Sequence, residues 1–290
     1  GNTMTLFMQQ LLNGITLGSV YILVAIGLTL VFGILHVPNF AHGALYLVGG
    51  YATLMAMNSL GVHYFIAIII SIMCVAGIAV LMERLVFNPL REAPAIHDKI
   101  AAIGIMLFFD ALIPLIWGNE YHRMLTPFAD TVTVFGISTT IQRILVIVVA
   151  CIVVVLLQLF LKKTMTGASI MAMAQNREGS FLVGINANNV AMMTFAISGA
   201  LAAIAASIAS PINLVFPSMG HLVILKAFVV VIIGGMGSVP GAIIGGMVLG
   251  ITESLGATYI SNDYKDMIAF LLLIIIMTIR PKGLFAKGVY

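Results

Sequence analysis

Charge is what this sequence has least of. Only 8% of its 290 residues are charged, against about 25% in an ordinary soluble domain. Hydrophobic residues make up 61% of the chain and the mean hydropathy is +1.16. A chain with so few charges cannot keep a water-facing surface, so it reads as a polytopic membrane protein. Repeated ten-residue segments of alternating polarity, the mark of a transmembrane barrel, are missing, and the long continuous apolar runs point to helices. The net charge of +3 is small and the basic residues sit in short segments between apolar runs. That pattern gives no support to nucleic-acid binding. The two cysteines, Cys74 and Cys151, each fall inside an apolar run and read as small packing residues, with no disulfide framework. No basic segment precedes the first apolar run, as a cleavable signal would require, and Gly1, Asn2 and Thr3 before Met4 read as an expression scar. Neither a Walker A sequence nor a clustered acid, base or metal set is visible, so the chain is not read as an enzyme.

What is present is a succession of apolar segments, each close to the 20 or so residues that a crossing needs. They run over 11–35, 41–58, 64–82, 100–117, 144–161 and 190–210. A glycine-punctured region over 222–252 splits near Met236 to Pro240 into a seventh and an eighth, and 267–279 is the last. The expectation is an all-α bundle of eight to ten spans, nine by the best count, forming one transmembrane domain. Residues 4–161 and 190–290 make two span groups, and the polar stretch 162–189 separates them. That stretch, LKKTMTGASIMAMAQNREGSFLVGINANN with its preceding leucine, is the longest interior piece of water-facing composition, and it can form one short helix. Arg84, Arg91, Lys99, Lys162, Lys163, Arg177, Arg280, Lys282 and Lys287 fall on one side of such a bundle, and Arg123, Arg143 and Lys265 on the other. By the positive-inside rule the larger group is cytoplasmic. The C-terminus and the 162–189 segment are then inside and the N-terminus outside.

Several stretches can carry function. Residues 27–50 contain His36, Pro38, Asn39 and His42 where a plain helical hairpin would have a turn. Two readings stand: a polar turn with Asn39 capping the next helix, or a discontinuous helix bordering a substrate path. Residues 232–250 hold seven glycines whose spacing gives two small-xxx-small faces, Gly241/Gly245 and Gly246/Gly250. Close helix packing and a broken helix along a path both account for them. Four ionisable residues interrupt apolar text. Glu83 lies beside Arg84 at a span end and reads as a local ion pair or an interface position. Asp110 sits in mid-span. Lys226 and Glu253 are placed to pair across two spans. In the polar loop over 118–140, the alternation of TVTVFGIS hints at a short strand. That loop is either a solvated connection or a contact surface for a partner outside the membrane.

Three pieces carry a resemblance: LTLVFGILHVPNFAHGALYLVGGY (28–51), GASIMAMAQNREGSFLVGIN (167–186) and KAFVVVIIGGMGSVPGAIIGGMVLGITESL (226–255). In this order the chain resembles the permease subunits of branched-chain amino acid (LIV-type) ABC transporters, in particular the shorter of the two LIV permeases. Urea and amide permeases look similar in the same signatures. The resemblance implies an importer in the bacterial or archaeal inner membrane. Its other parts would be a second, related permease, two cytoplasmic ATPase subunits and a periplasmic substrate-binding protein. ATP and magnesium would sit on those ATPases, and no cofactor on this chain. It implies that leucine, isoleucine or valine is the cargo, a urea-like amide being the alternative. Asn39, His42, Gly43, Gly235, Met236, Ser238 and Glu253 would border the passage. The segment containing Gly167, Ala168, Met171, Ala172, Gln175, Arg177, Glu178 and Gly184 would seat on the ATPases. Where the family's segment carries arginines near its start, this chain has Ala168 and Met171. The helical face through Ala168, Met171, Ala172, Gln175 and Gly179 therefore favours apolar seating over charge pairing. A stand-alone, ion-coupled carrier is the reading from another class, and Asp110 with Glu253 is its candidate relay pair.

Overall fold

In the computed structural model, which describes residues 2–281 and 283, nine long helices alternate in direction around a central one. They are α1 (Asn2–Leu35), α2 (His42–Ser59), α3 (Tyr64–Met82), α4 (Ala95–Trp117), α5 (Ile141–Lys163), α8 (Ala187–Ala209), α9 (Met219–Gly234), α10 (Val239–Tyr259) and α11 (Lys265–Ile279). Two short helices, α6 (Met165–Gln175) and α7 (Arg177–Leu182), lie between α5 and α8. Each apolar segment read from the sequence has become one helix, because each is bounded by residues that stop helices. His36 takes a φ of 55° after α1, and Gly235 and Gly237 take 102° and 85° after α9. Pro240 then occupies the first turn of α10, where a missing N–H costs nothing. Among the described residues, six helices are long and apolar enough to cross a membrane: α1, α3 with its continuation to Phe87, α4, α5, α8 and α10. The helices α9 and α11, with 16 and 15 residues, are shorter.

α1 is the centre. Its most apolar window is 89% buried, against 11% for that of α4, which lies on the rim. α10, α8 and α9 pack around α1, α2 and α3 close the side of α8, and α11 covers α9 and α10. Glycines set the closest approaches. Gly14 and Gly18 of α1 meet Gly250 and Gly246 of α10, where any Cβ would run into the facing backbone. The other glycine pair of α10 faces α9: Gly241 lies against Gly234, and Gly245 against the Val230 carbonyl. Both small-residue faces are thus packing faces.

The turns sort into two ends. At one, called here the α6 end, Gly33 of α1 touches Ala174 of α6, and Phe32 lies beside Gly237 in the α9–α10 turn. At the other, the hairpin end, Thr131–Val134 (β1) pairs antiparallel with Ile137–Thr140 (β2). Phe135 and Gly136 between them have φ of 51° and 80°, the two left-handed residues of a type I′ turn. Gln9 donates to the Ser138 carbonyl at 2.9 Å and ties the start of α1 to this hairpin. Among the described basic residues, Arg84, Arg91, Lys99, Lys162, Lys163, Arg177 and Arg280 belong to the α6 end. Arg123, Arg143 and Lys265 belong to the hairpin end. Lys282 and Lys287, counted with the first group, and Gly1 of the expected scar lie outside the described residues.

Candidate functional site

The polar stretch expected as one helix is two. Thr164 caps α6 by accepting from Gly167 N at 3.0 Å, and Gly167 is buried against the Phe160 carbonyl, which makes the turn from α5 tight. Asn176 then leaves the helical region (φ −154°, ψ 100°), ends α6 and caps α7 by accepting from Gly179 N at 2.8 Å. The single face through Ala168, Met171, Ala172, Gln175 and Gly179 is therefore broken at Asn176, and Gly179 belongs to the second helix. On α6 the inward side is Gly167, Ile170 and Met173; Ala168 and Gln175 are exposed, and Met171 and Ala172 half-buried. Glu178 is exposed on α7, which ends before Gly184 at φ 85°. Just before that glycine, Phe181, Leu182 and Val183 project with 73%, 84% and 75% of their surface open. Sequence reasoning passed over this tip, although three consecutive apolar residues in a polar segment were its signal.

Arg177 turns inward instead. It lines a cavity of about 110 Å³ with Glu83, Arg91, Asp98, Phe87 and Leu35. A single π-helical turn over Glu83–Phe87 aims Glu83 into the protein, with Asn88 N donating to the Glu83 carbonyl at 2.7 Å. The partner of Glu83 is not the adjacent Arg84 but Arg91, whose Nη2 donates to Oε1 at 2.8 Å. Adjacent residues on a helix point about 100° apart, so the local pair expected from the sequence does not form. Arg84 Nε instead approaches Met192 Sδ, and Arg91 Nη1 donates to Asn188 Oδ1 at 2.5 Å. Glu83 Oε2 and Asp98 Oδ1 are buried with no hydrogen-bond partner. Burial, reinforced by Arg91, holds the Arg177 guanidinium below its ordinary value, opposed by Glu92 and Asp98. This basic side chain thus sits over an incompletely satisfied acidic cluster.

The residues expected along a passage fall in three places. Asn39 Oδ1 accepts from Ala41 N at 3.1 Å while its Nδ2, fully buried, has no partner. His42, also buried, donates from Nε2 to the Val24 carbonyl at 3.1 Å and sets Nδ1 3.2 Å from Ser198 Oγ. Gly43 lies against the Gly220 carbonyl and joins α2 to α9. Gly235, Met236 and Ser238 form the α9–α10 turn at the α6 end, with Ser238 Oγ accepting from Gly241 N at 3.0 Å. Glu253 lies elsewhere on α10. It accepts from Tyr21 Oη at 2.6 Å and from Lys226 Nζ, as the spacing of the two charges suggested, and Lys226 also reaches Asp266 at 2.6 Å. Glu253 borders a polar cavity of about 220 Å³ that Asn13, Thr16, Arg143, Asn213 and Lys265 also line. Asp110 is bonded to His221 at 2.8 Å, so the candidate relay residues Asp110 and Glu253 have separate partners. Asp266 and His221 were not singled out from the sequence, because only helix adjacency brings them in.

With this geometry in view, relatives give it a family. A family model described as the permease component of a branched-chain amino acid transport system matches residues 10–277. Similar proteins include the high-affinity branched-chain amino acid transport system permease protein BraD of Pseudomonas aeruginosa, 36% identical, with 97% of this chain and 96% of that protein covered. The corresponding LivH of Escherichia coli is 32% identical with the same coverage of 97% and 96%. The probable LivH of Methanocaldococcus jannaschii is 28% identical over 95% and 92%. A solved structure described as PsaBC from Streptococcus pneumoniae in complex with Fab matches with a TM-score of 0.50 and 11% identity over 95% of this chain and 92% of that one. This last likeness concerns the fold alone, a polytopic helical bundle. The match of one family model from α1 to α11, with relatives above 30% identity along nearly the whole length, means that this chain belongs to the family of branched-chain amino acid transport system permease components.

Proposed function

We propose that the chain is a membrane permease subunit of an ABC importer, of the shorter LIV type, which passes leucine, isoleucine or valine inward. A binding protein outside the membrane delivers the cargo, and two ATPase subunits seat on the α6–α7 segment. A second, related permease completes the passage. The α6 end, with its excess of arginine and lysine, is the cytoplasmic one, so the hairpin faces the periplasm. One observation carries the coupling part of this reading. A segment outside the long helices holds three consecutive exposed apolar side chains, Phe181 to Val183, at the end of α7, and it is tied back to the bundle through Ala174 of α6 and Arg177 of α7. Such a tip needs a soluble partner to cover it. Ala168, Met171, Ala172 and Gln175 flank it on α6, and ATP-driven closure of the partners would push both helices against α1 and the 83–98 turn. Glu253 and its polar cavity border the path for cargo, with the α1–α2 and α9–α10 turns at its inner end.

Reconstitution tests this directly. The chain is put into proteoliposomes with its ATPases, second permease and binding protein, and uptake of radiolabelled leucine is followed. Uptake should require internal ATP and the loaded binding protein, and should be unchanged by collapse of the proton and sodium gradients. Uptake that persists without the ATPases and vanishes with the ion gradient would establish the ion-coupled carrier instead.

A further inference from the structure

A cleft of about 390 Å³ opens at the hairpin end between α4 and the start of α9, and no part of the reading above uses it. Its wall holds Asp110 and Pro114 from α4, Tyr121 and Phe216 from the two flanking loops, and Ser218 and His221 at the head of α9. His221 Nε2 donates to Asp110 Oδ2 at 2.8 Å, and the two side chains keep 44% and 26% of their surface open. The Tyr121 and Phe216 rings stack with centroids 4.7 Å apart. A backbone bridge between His122 and Val215 fastens the loops that carry them.

Asp110 lies seven residues before the end of α4, which at 1.5 Å per residue is about 10 Å below it. Around it α4 exposes Leu107, Phe108 and Leu115, side chains suited to hydrocarbon. An ionisable pair open to hydrocarbon is strongly disfavoured, and such groups in spanning helices face water or a polar partner. The other intramembrane pair, Lys226 with Glu253, is largely buried, with 11% and 2% of the side chains open; this one is more exposed. The open cleft therefore calls for water or a polar guest. Its chemistry is also particular: a carboxylate held in position by an imidazole, beside a proline and two stacked rings. That combination suits an ammonium group attached to an apolar body.

The geometry points to this cleft as a water-filled cargo port, where Asp110, positioned by His221, takes the ammonium group of an apolar amino acid while Pro114, Tyr121 and Phe216 contact its side chain. The inference rests on the transport reading above. It is tested in the complete importer with Cys74 and Cys151 replaced by serine, a parent that must still import leucine; failure there counts against the transport reading and not against the cleft. In that parent, Ser218→Cys places a thiol in the cleft and Leu115→Cys places one on the apolar face nearby. A charged thiol reagent should label Ser218→Cys at least tenfold faster than Leu115→Cys. Leucine-loaded binding protein should slow that labelling at least fivefold, while leucine-free binding protein should not. In the same parent, Asp110→Asn should lower leucine uptake about tenfold with the ATPases still bound. Equal labelling of the two thiols would mean a dry or covered cleft. Equal rates with loaded and empty binding protein would mean water without cargo. Either result overturns the proposal.

Discussion

Lys226 shows what one side chain does in this bundle. Its ammonium bridges Glu253 and Asp266, and Glu253 is only 2% exposed. Removing one member of a buried pair leaves its partner charged and unsolvated, which typically costs about 3–5 kcal/mol, whereas replacing both by apolar groups is often neutral. Lys226→Met should therefore lower the melting temperature in detergent markedly, and Lys226→Met with Glu253→Gln should recover most of the loss. A Lys226→Met variant as stable as the parent would remove the tie between α9, α10 and α11. Half of this cluster was legible: two opposite charges in consecutive apolar segments pair more cheaply than they stay single. Asp266 was not, because nothing in its own neighbourhood says that α11 returns beside α9. The same reason hid His221 from Asp110. Adjacency in the chain misled in the opposite direction at Glu83, whose neighbour Arg84 points away round the helix while Arg91 reaches it across a π turn.

At the scale of elements, the helices themselves were legible because the apolar runs are long and their stops are chemical. Gly235 at positive φ ends α9 near the expected place and Pro240 opens α10, which then runs on to Tyr259, past the expected end at 252. The division of the polar stretch was less visible. Asn176 is an ordinary residue in a helix-compatible sequence, and its role as a cap depends on the backbone extension seen here. That division separates the proposed docking surface into two parts, and the second, the Phe181–Val183 tip, is the more exposed. Burying a Phe or Leu side chain contributes about 1.5–3 kcal/mol. Phe181→Ser with Leu182→Ser should thus cut recovery of the ATPase subunits on the purified permease by tenfold or more, with the yield of permease in the membrane unchanged. Ala172→Arg should act in the same direction by putting a charge into the flank of the same surface. Unaltered recovery in both variants would move the ATPase contact off α6 and α7.

For the whole molecule, the sorting of turns into two ends makes sidedness measurable. Phe135 at the hairpin tip is 97% exposed and Phe181 at the docking tip 73%. With Cys74 and Cys151 replaced by serine, Phe135→Cys should react with an impermeant thiol reagent in intact cells, and Phe181→Cys only in inverted vesicles. Reaction of both from the same side would leave an even number of crossings between them and overturn α5 as a crossing and the expected count of nine. The central position of α1 has a further consequence, which concerns biosynthesis. Among the described candidate spans α1 is both the earliest in the sequence and the one most completely covered by protein, and its closest seam is with Gly246 and Gly250, about 230 residues later. At typical rates of synthesis that interval lasts roughly 12–46 s. Throughout it α5, α8 and α9 emerge and cover other sides of α1, but its Gly14/Gly18 face stays unmatched. The core helix is thus made long before the helix that fits it most closely, and truncation anywhere before α10 leaves that glycine seam unpartnered.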